Sequence, residues 1–312
     1  MKANLRAAGE GKRSLPEKYQ LFLMLLPFLA LVFVFSYLPL AGWRYAFYLY
    51  RPGFDLKDCQ YVGLYWFESI FSNSFQIEEI TRVMINTLGI SGLGLLLNCV
   101  APLFAVLLNE IHHKPYRKVV QVLTTLPNFI SWVLVYAVAF ALFNVDAGLI
   151  NRILLGLGWI DKPINFLASN KHVWLSMTLW TAWKTLGWSG ILYLAAIAGI
   201  DQEQYEAARV DGARGPQQFF RITLPLLTPT IFFNLVMQMI NGFLAFSQSY
   251  IITQGKPMNS TLFYVVYMYQ QGFEYFKAGY ASALAWIMLV IIGAFTGVLF
   301  LTKRFWVYEE GV

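Results

Sequence analysis

Charged residues are scarce in this chain, and their scarcity excludes most soluble folds. Only 13% of the 312 residues are Asp, Glu, Lys or Arg, whereas 58% are hydrophobic. Since soluble domains carry about a quarter charged residues, the composition predicts a membrane protein with several spans. The net charge of +6 does not indicate nucleic-acid binding, because the basic residues are distributed according to membrane topology.

Disulfide and metal ligands are also few. The two cysteines, Cys59 and Cys99, cannot build a disulfide framework, and we expect Cys59 outside the bilayer and Cys99 within a span. The adjacent His112 and His113 have no third ligand nearby, so the sequence predicts no metal site. The first apolar run is as long as a span and lacks a clear cleavage site, so we expect no cleavable signal peptide.

Acidic residues are missing from the apolar runs, and so are the motifs of common catalytic sites. No Asp or Glu falls within the six spans proposed below, which argues against a proton relay and against an intramembrane hydrolase. The chain contains no GxSxG, HExxH or phosphate-binding glycine loop. We therefore expect a protein that is not an enzyme, binds no cofactor and draws its energy from a partner.

Six apolar runs are long enough to cross a bilayer, whose hydrocarbon core needs about 20 helical residues. They cover residues 21–42, 84–108, 119–143, 173–200, 228–252 and 281–301. In the third run, Pro127-Asn128 predicts a kink. Aromatic residues at 65–71 predict a short interfacial helix in the first external segment. The fold class predicted is an all-α membrane protein with six transmembrane helices.

The distribution of Lys and Arg orients these spans. The segments proposed to lie inside hold 13 of the 23 basic residues in about 65 positions, and those outside hold 9 in about 100. Basic residues are thus about twice as dense inside, as the positive-inside rule requires. We expect cytoplasmic tails at 1–20 and 303–312, which flank a transmembrane domain at 21–302.

One hydrophilic stretch, 203–225, separates the fourth span from the fifth. Helix formers at 203–210 precede Asp211-Gly212, where glycine tolerates the backbone angles that end a helix. Gly215-Pro216 then starts a second helix, since proline suits a first turn. The stretch predicts a helix–turn–helix, called the elbow below, that faces water and is joined to a span at each end.

The elbow resembles the EAA loop of permease subunits of bacterial binding-protein-dependent ABC importers. The matching residues are Glu206-Ala207-Ala208, Gly212 and, after a nine-residue gap, Ile222-Thr223-Leu224-Pro225. Segments 193–225 and 257–286 also look like permeases of the carbohydrate-uptake class, and 126–132 looks like the branch associated with larger glycans. The resemblance implies the type I importer permease fold, in a bacterial cell membrane, with both termini in the cytoplasm.

The resemblance also implies several partners. A second, related permease would complete a heterodimer in the lipid bilayer, and two copies of a cytoplasmic ATPase would bind ATP and Mg. An external solute-binding protein would deliver a sugar. The elbow would dock in a cleft of the ATPase, and the residues implied in this coupling are Glu206, Ala207, Ala208, Arg209, Asp211, Gly212, Leu224 and Pro225.

Polar residues of the fifth span share one face of the predicted helix. Asn234, Gln238, Asn241, Ala245 and Gln248 follow at spacings of 4, 3, 4 and 3, which places them within an arc of about 80°. Amides that face lipid lack partners, so these side chains must face protein or water. They either line a path for sugar hydroxyls, which need donors and acceptors, or form interhelical hydrogen bonds.

Lys184 is the one basic residue within a predicted span. It either borders the substrate path, where it could favour an acidic sugar, or ties backbone carbonyls at a helix distortion. Trp188 follows it and could stack on a sugar, although core packing is the commoner role of tryptophan. The residues predicted for the path are Lys184, Trp188, Asn234, Gln238, Asn241 and Gln248.

Other functions stay open at this level. The solute could be another polar molecule, such as glycerol phosphate or an acidic glycan. A stand-alone secondary transporter would need an intramembrane ion site or an inverted repeat, and a membrane enzyme acting on lipid-linked sugar would need acids in the spans. Neither feature is visible in the sequence, and the sequence does not name the sugar.

Overall fold

The computed structural model describes residues 16–167, 173–247, 249–253 and 261–303. Over these residues the chain is helical, with one isolated antiparallel bridge between Tyr48 and Tyr61. The long helices are α1 (Glu17–Phe47), α3 (Ser74–Asn109), α4 (Lys114–Phe129), α5 (Trp132–Phe143), α7 (Val173–Ala198), α9 (Gly215–Phe243) and α11 (Ala278–Thr302). The short ones are α2 (Tyr65–Ser72), α6 (Leu149–Gly156), α8 (Gln202–Val210) and α10 (Tyr264–Tyr269).

Four helices of the described chain, α1, α3, α9 and α11, are long and apolar enough to cross a membrane. The helices α4 and α5 together make a fifth candidate, but they meet at a bend of 104°. With 26 residues, α7 is long enough as well. It is less apolar than the others because it carries Lys184 and several hydroxyl side chains, some of them buried against neighbouring helices.

Two helices have different ends from the spans predicted within them. The second span, predicted to begin at residue 84, belongs to a helix that begins at Ser74, where Asn73 Oδ1 accepts the N–H of Phe75 at 3.0 Å. The fifth, predicted to run to residue 252, belongs to a helix that ends at Phe243. That helix starts within the elbow, at Gly215, and includes a π-helical turn at Phe219–Thr223 just before Pro225.

The third predicted span is broken rather than kinked. Its first half, α4, ends at Phe129, and α5 begins at Trp132 after two residues with extended backbone. Ser131 starts the new helix, since its Oγ accepts the N–H of Leu134 at 3.4 Å. Residues 126–131 are called the break below.

Part of the segment that links α9 to α11 packs into the core. Five of its residues are buried between α3 and α11, namely Leu262, Phe263, Tyr264, Val266 and Tyr267. The N–H of Tyr264 donates to Thr87 Oγ1 at 3.0 Å, and its hydroxyl donates to the carbonyl of Leu284 at 2.9 Å. These bonds satisfy polar groups that burial would otherwise leave without partners.

A second buried cluster joins the other end of the long helices, near the elbow. It contains Ala101 and Ala105 of α3, Tyr193 and Ile197 of α7 and Leu227 of α9. The first helix belongs to neither cluster over most of its length, because every residue from 17 to 41 is exposed. An exposed helix that is apolar on all sides requires lipid or another protein as its neighbour.

Candidate functional site

A cavity of about 570 Å³ lies between α3, α7, α9 and the break. Its wall carries amides, hydroxyls and aromatic rings, with no charged side chain from the described part of the protein. The amides and tryptophans on this wall are Asn128, Trp132, Trp188, Asn234, Gln238 and Asn241. Such a wall offers hydrogen-bond donors, acceptors and flat apolar faces to a polar ligand.

Three amides of the predicted stripe, Asn234, Gln238 and Asn241, line this cavity. The Nδ2 of Asn234 also donates to the hydroxyl of Tyr193 at 2.8 Å, and the Nε2 of Gln238 donates to Asn98 Oδ1 at 3.4 Å. Interhelical hydrogen bonding therefore explains part of the stripe. Asn241 is exposed and makes no side-chain hydrogen bond to the described residues.

The stripe does not extend along one helix as predicted. Since α9 ends at Phe243, Ala245 lies beyond the helix, although it still contacts the cavity. Gln248 lies outside the described residues.

Lys184 lies behind the cavity wall and not on it. Its Nζ donates to the carbonyl oxygens of Pro127 at 3.1 Å, Asn128 at 2.8 Å and Ile130 at 2.5 Å. These bonds use all three donors of the ammonium group. The sequence left two roles open for Lys184, and these bonds correspond to one of them, the tie to backbone carbonyls at a helix distortion. The other role, on the substrate path, stays a prediction.

Trp188 is on the cavity wall, and the ring of Phe129 packs edge-on against it with centroids 6.1 Å apart. Sequence reasoning missed Asn128 and Trp132 as wall residues. The proline at 127 signalled a distortion in an apolar run, but the contacts of this region with Lys184 and Trp188 of α7 are not visible in the sequence.

The elbow has the predicted helix–turn–helix form. Asp201 caps α8, since its Oδ1 accepts the N–H of Glu203 at 3.0 Å. The helix ends at Val210, and Gly212 takes a φ of +79°, in the left-handed region that glycine tolerates. Gln217 Oε1 then accepts the N–H of Arg214 at 2.9 Å, which starts the next helix.

Most of the residues implied in coupling are on the surface of the elbow. Five of them are exposed: Glu206, Ala207, Arg209, Asp211 and Gly212. The other three, Ala208, Leu224 and Pro225, are half-buried. Sequence reasoning missed the contact that joins the two arms, a 2.9 Å hydrogen bond between the hydroxyls of Tyr205 and Thr223.

Residues 90–305 match the family described as "Binding-protein-dependent transport system inner membrane component". The chain belongs to this family. The matched region contains the cavity wall, the break and the elbow. The protein is therefore a multi-pass membrane permease of the ABC importer type, a subunit that is not itself an enzyme, and ATP hydrolysis belongs to a separate subunit.

Relatives and solved structures agree with this membership. The permease is 35% identical over 287 residues to the probable ABC transporter permease protein YesP of Bacillus subtilis, covering 91% of this chain and 90% of that protein. It is 32% identical over 300 residues to the polygalacturonan/rhamnogalacturonan transport system permease protein YteP of the same organism, covering 95% and 90%.

Its fold is similar to a chain of a bacterial alginate ABC transporter, solved in complex with an alginate pentasaccharide-bound periplasmic protein. The TM-score is 0.80 at 30% identity, and the match covers 95% of this permease and 97% of that chain. This likeness supports the type I importer permease fold.

Proposed function

We propose that this permease moves a sugar or oligosaccharide through its central cavity. The proposal rests on the composition of the cavity wall, which contains four amides, two tryptophans and no charged side chain from the described residues. Sugars combine hydroxyl groups that donate and accept with apolar ring faces, and amides and indoles match both. The carbohydrate names of the relatives support the same class of solute.

An oligosaccharide that carries carboxylates is the favoured substrate within this class. Two of the proteins named above are associated with carbohydrates by name, YteP with polygalacturonan or rhamnogalacturonan and the solved transporter with alginate, an acidic polysaccharide. In the described chain, Lys184 is the one buried ammonium, and no carboxylate pairs with it. Its positive potential acts over the few ångströms to the cavity and attracts an anion, without a direct contact.

The proposed topology has six crossings with both termini in the cytoplasm. The six crossings are α1, α3, α9, α11, the bent pair α4–α5, and α7. The polar side chains of α7 include several that are buried within the protein. The basic residues at 112–118 and in the elbow then share the cytoplasmic side, as the positive-inside rule requires. The tails at 1–20 and 303–312 are placed on that side by the same rule.

The proposed assembly contains this permease, a second related permease, two ATPase copies that bind ATP and Mg, and an external solute-binding protein. The exposed residues of the elbow, from Glu206 to Gly212, fit a docking helix for the ATPase. The apolar surface of α1 fits a neighbouring permease or lipid. When ATP closes the ATPase pair, the elbow transmits the motion to α7 and α9, which rock as rigid bodies.

Uptake measurements test this function directly. A strain that lacks the chromosomal copy is supplied with the permease, and import of pentagalacturonate, maltopentaose and glycerol phosphate is measured. Import of either pentasaccharide that requires the permease supports the proposal, and pentagalacturonate is expected to be preferred. Import of glycerol phosphate alone, or import that persists after removal of the ATPase subunit, contradicts it.

A further inference from the structure

The break is held in place by α7 through two residues one turn apart. The ammonium of Lys184 binds the three carbonyls described above, at the end of α4, where helix carbonyls have no partner of their own. On the same face of α7, Gly187 packs directly against the backbone of α4 just before the break. A Cβ at position 187 would lie 2.2 Å from the carbonyl oxygen of Thr124, so only glycine fits. The contact is therefore between backbones, without an intervening side chain.

The break and the first residue of α5 each present one side chain to the cavity. Asn128 and Trp132 are both on its wall, and each is half-buried. Neither the amide of Asn128 nor the indole N–H of Trp132 has a hydrogen-bond partner in the described chain, so both groups are available to a ligand. The ring centre of Trp132 lies 5.7 Å from Lys184 Nζ, so the ammonium also orients the indole.

These two residues come from a different element than the polar stripe. Asn234, Gln238 and Asn241 belong to α9, whereas Asn128 lies at the end of α4 and Trp132 begins α5, one on each side of the 104° bend. The cavity wall therefore carries polar side chains from two separate parts of the chain, α9 and the junction of α4 with α5.

We propose that Asn128 and Trp132 bind the translocated sugar and that Lys184 is a positioning residue, which holds the break so that these two side chains face the cavity. The inference rests on the proposed function. The amide binds a sugar hydroxyl and the indole covers an apolar ring face. Lys184 acts through the backbone carbonyls, because its three donors are already used.

Substrate protection of an engineered cysteine tests the inference. The native cysteines are replaced (Cys59→Ser and Cys99→Ser), and Asn128→Cys is introduced into the importer assembled with its partner permease, ATPases and binding protein. A charged methanethiosulfonate labels the new thiol with and without pentagalacturonate or maltopentaose. Bound sugar at ten times its Kd is expected to slow labelling about tenfold. Gln238→Cys on α9 is the matched control and is protected to a similar degree.

The positioning role predicts a specific loss of that protection. In the Lys184→Met background, the sugar no longer protects the thiol at position 128 but still protects the thiol at position 238. Protection at 128 that survives Lys184→Met overturns the positioning role. If the importer takes up sugar and the sugar protects the thiol at position 238 but not the one at position 128, the binding role is overturned. If the parent importer takes up neither pentasaccharide, the proposed function is overturned.

If the Lys184→Met importer does not assemble, a second pair of variants tests the binding role of Trp132. Trp132→Ala is expected to lower uptake at least about tenfold, equivalent to about 1.4 kcal/mol, while the ATPase still co-purifies. Trp183→Ala removes an indole from α7 that is 42% exposed and does not line the cavity. It is expected to keep uptake near the parent value, and equal loss in the two variants contradicts the inference.

Discussion

The hydroxyl of Tyr205, in the first arm of the elbow, is 2.9 Å from that of Thr223, in the second. Thr223 is buried and Tyr205 is half-buried, so the bond is partly shielded from water. It joins two helices that are otherwise connected through a turn at Gly212. Force applied to α8 by a docked subunit therefore has a direct side-chain route to α9, and through α9 to the cavity.

Loss of this bond should weaken coupling more than folding. We expect Tyr205→Phe to lower ATP-driven uptake about threefold to tenfold, because one neutral hydrogen bond is worth about 0.5–1.5 kcal/mol. Thr223→Val should have a similar effect, and the double variant should be no worse than either. Uptake and substrate-stimulated ATPase activity are measured together. Tyr116→Phe, on an exposed ring of α4, is the control, and additive losses would show that the two hydroxyls act independently.

The turn of the elbow should depend on the backbone of Gly212. Its φ is +79°, and a Cβ would meet nothing within 4 Å, so substitution acts through backbone strain alone. A side chain in this region costs about 1–2 kcal/mol. We expect Gly212→Ala and Gly212→Pro to abolish uptake while the protein still reaches the membrane.

Gly215 offers a matched control three residues away. It is not in the left-handed region, and a Cβ added there would also meet open space. Gly215→Ala should therefore transport normally. Uptake assays and membrane immunoblots check both variants, and normal uptake by Gly212→Ala would remove the proposed role of the turn.

Close contact between α7 and α4 should make Gly187 intolerant of any side chain. A Cβ at this position would lie 2.2 Å from the carbonyl oxygen of Thr124 and 2.5 Å from the N–H nitrogen of Thr125. Because both atoms belong to the backbone, the helices must separate. We expect Gly187→Ala to destabilise the protein by about 1–3 kcal/mol or more, seen as a lower Tm in detergent. Gly293→Ala, where the added Cβ meets nothing, should leave Tm unchanged or raise it.

The amides of α9 should separate into structural and transport roles. Asn241→Leu removes a side chain with no hydrogen bond to the described residues, so uptake should fall while Tm is retained. Asn234→Leu also breaks the 2.8 Å bond to Tyr193, and leaves a buried hydroxyl without its partner at a cost of about 1–3 kcal/mol. Uptake and thermal unfolding are measured for both. A loss of Tm in Asn241→Leu as large as in Asn234→Leu would contradict this division.

Local signals were sufficient for the helices and for the elbow. Long apolar runs predicted the helical membrane character, and Asp211-Gly212 with Gly215-Pro216 predicted the turn between α8 and α9. These features follow from solvation of apolar side chains and from the backbone preferences of glycine and proline, which act over a few residues. The helix ends were less accurate: α3 and α9 begin before their apolar runs, at Ser74 and Gly215, and α9 ends within its run, at Phe243.

The arrangement of the cavity was decided by tertiary structure. The sequence by itself determined an all-helical membrane protein, its water-facing elbow and an amide stripe on the fifth span. It did not determine the 104° bend between α4 and α5, the burial of residues 262–267, or the three bonds from Lys184 to backbone carbonyls. Those outcomes depend on contacts between residues more than fifty positions apart, and such contacts exist only once the helices have packed.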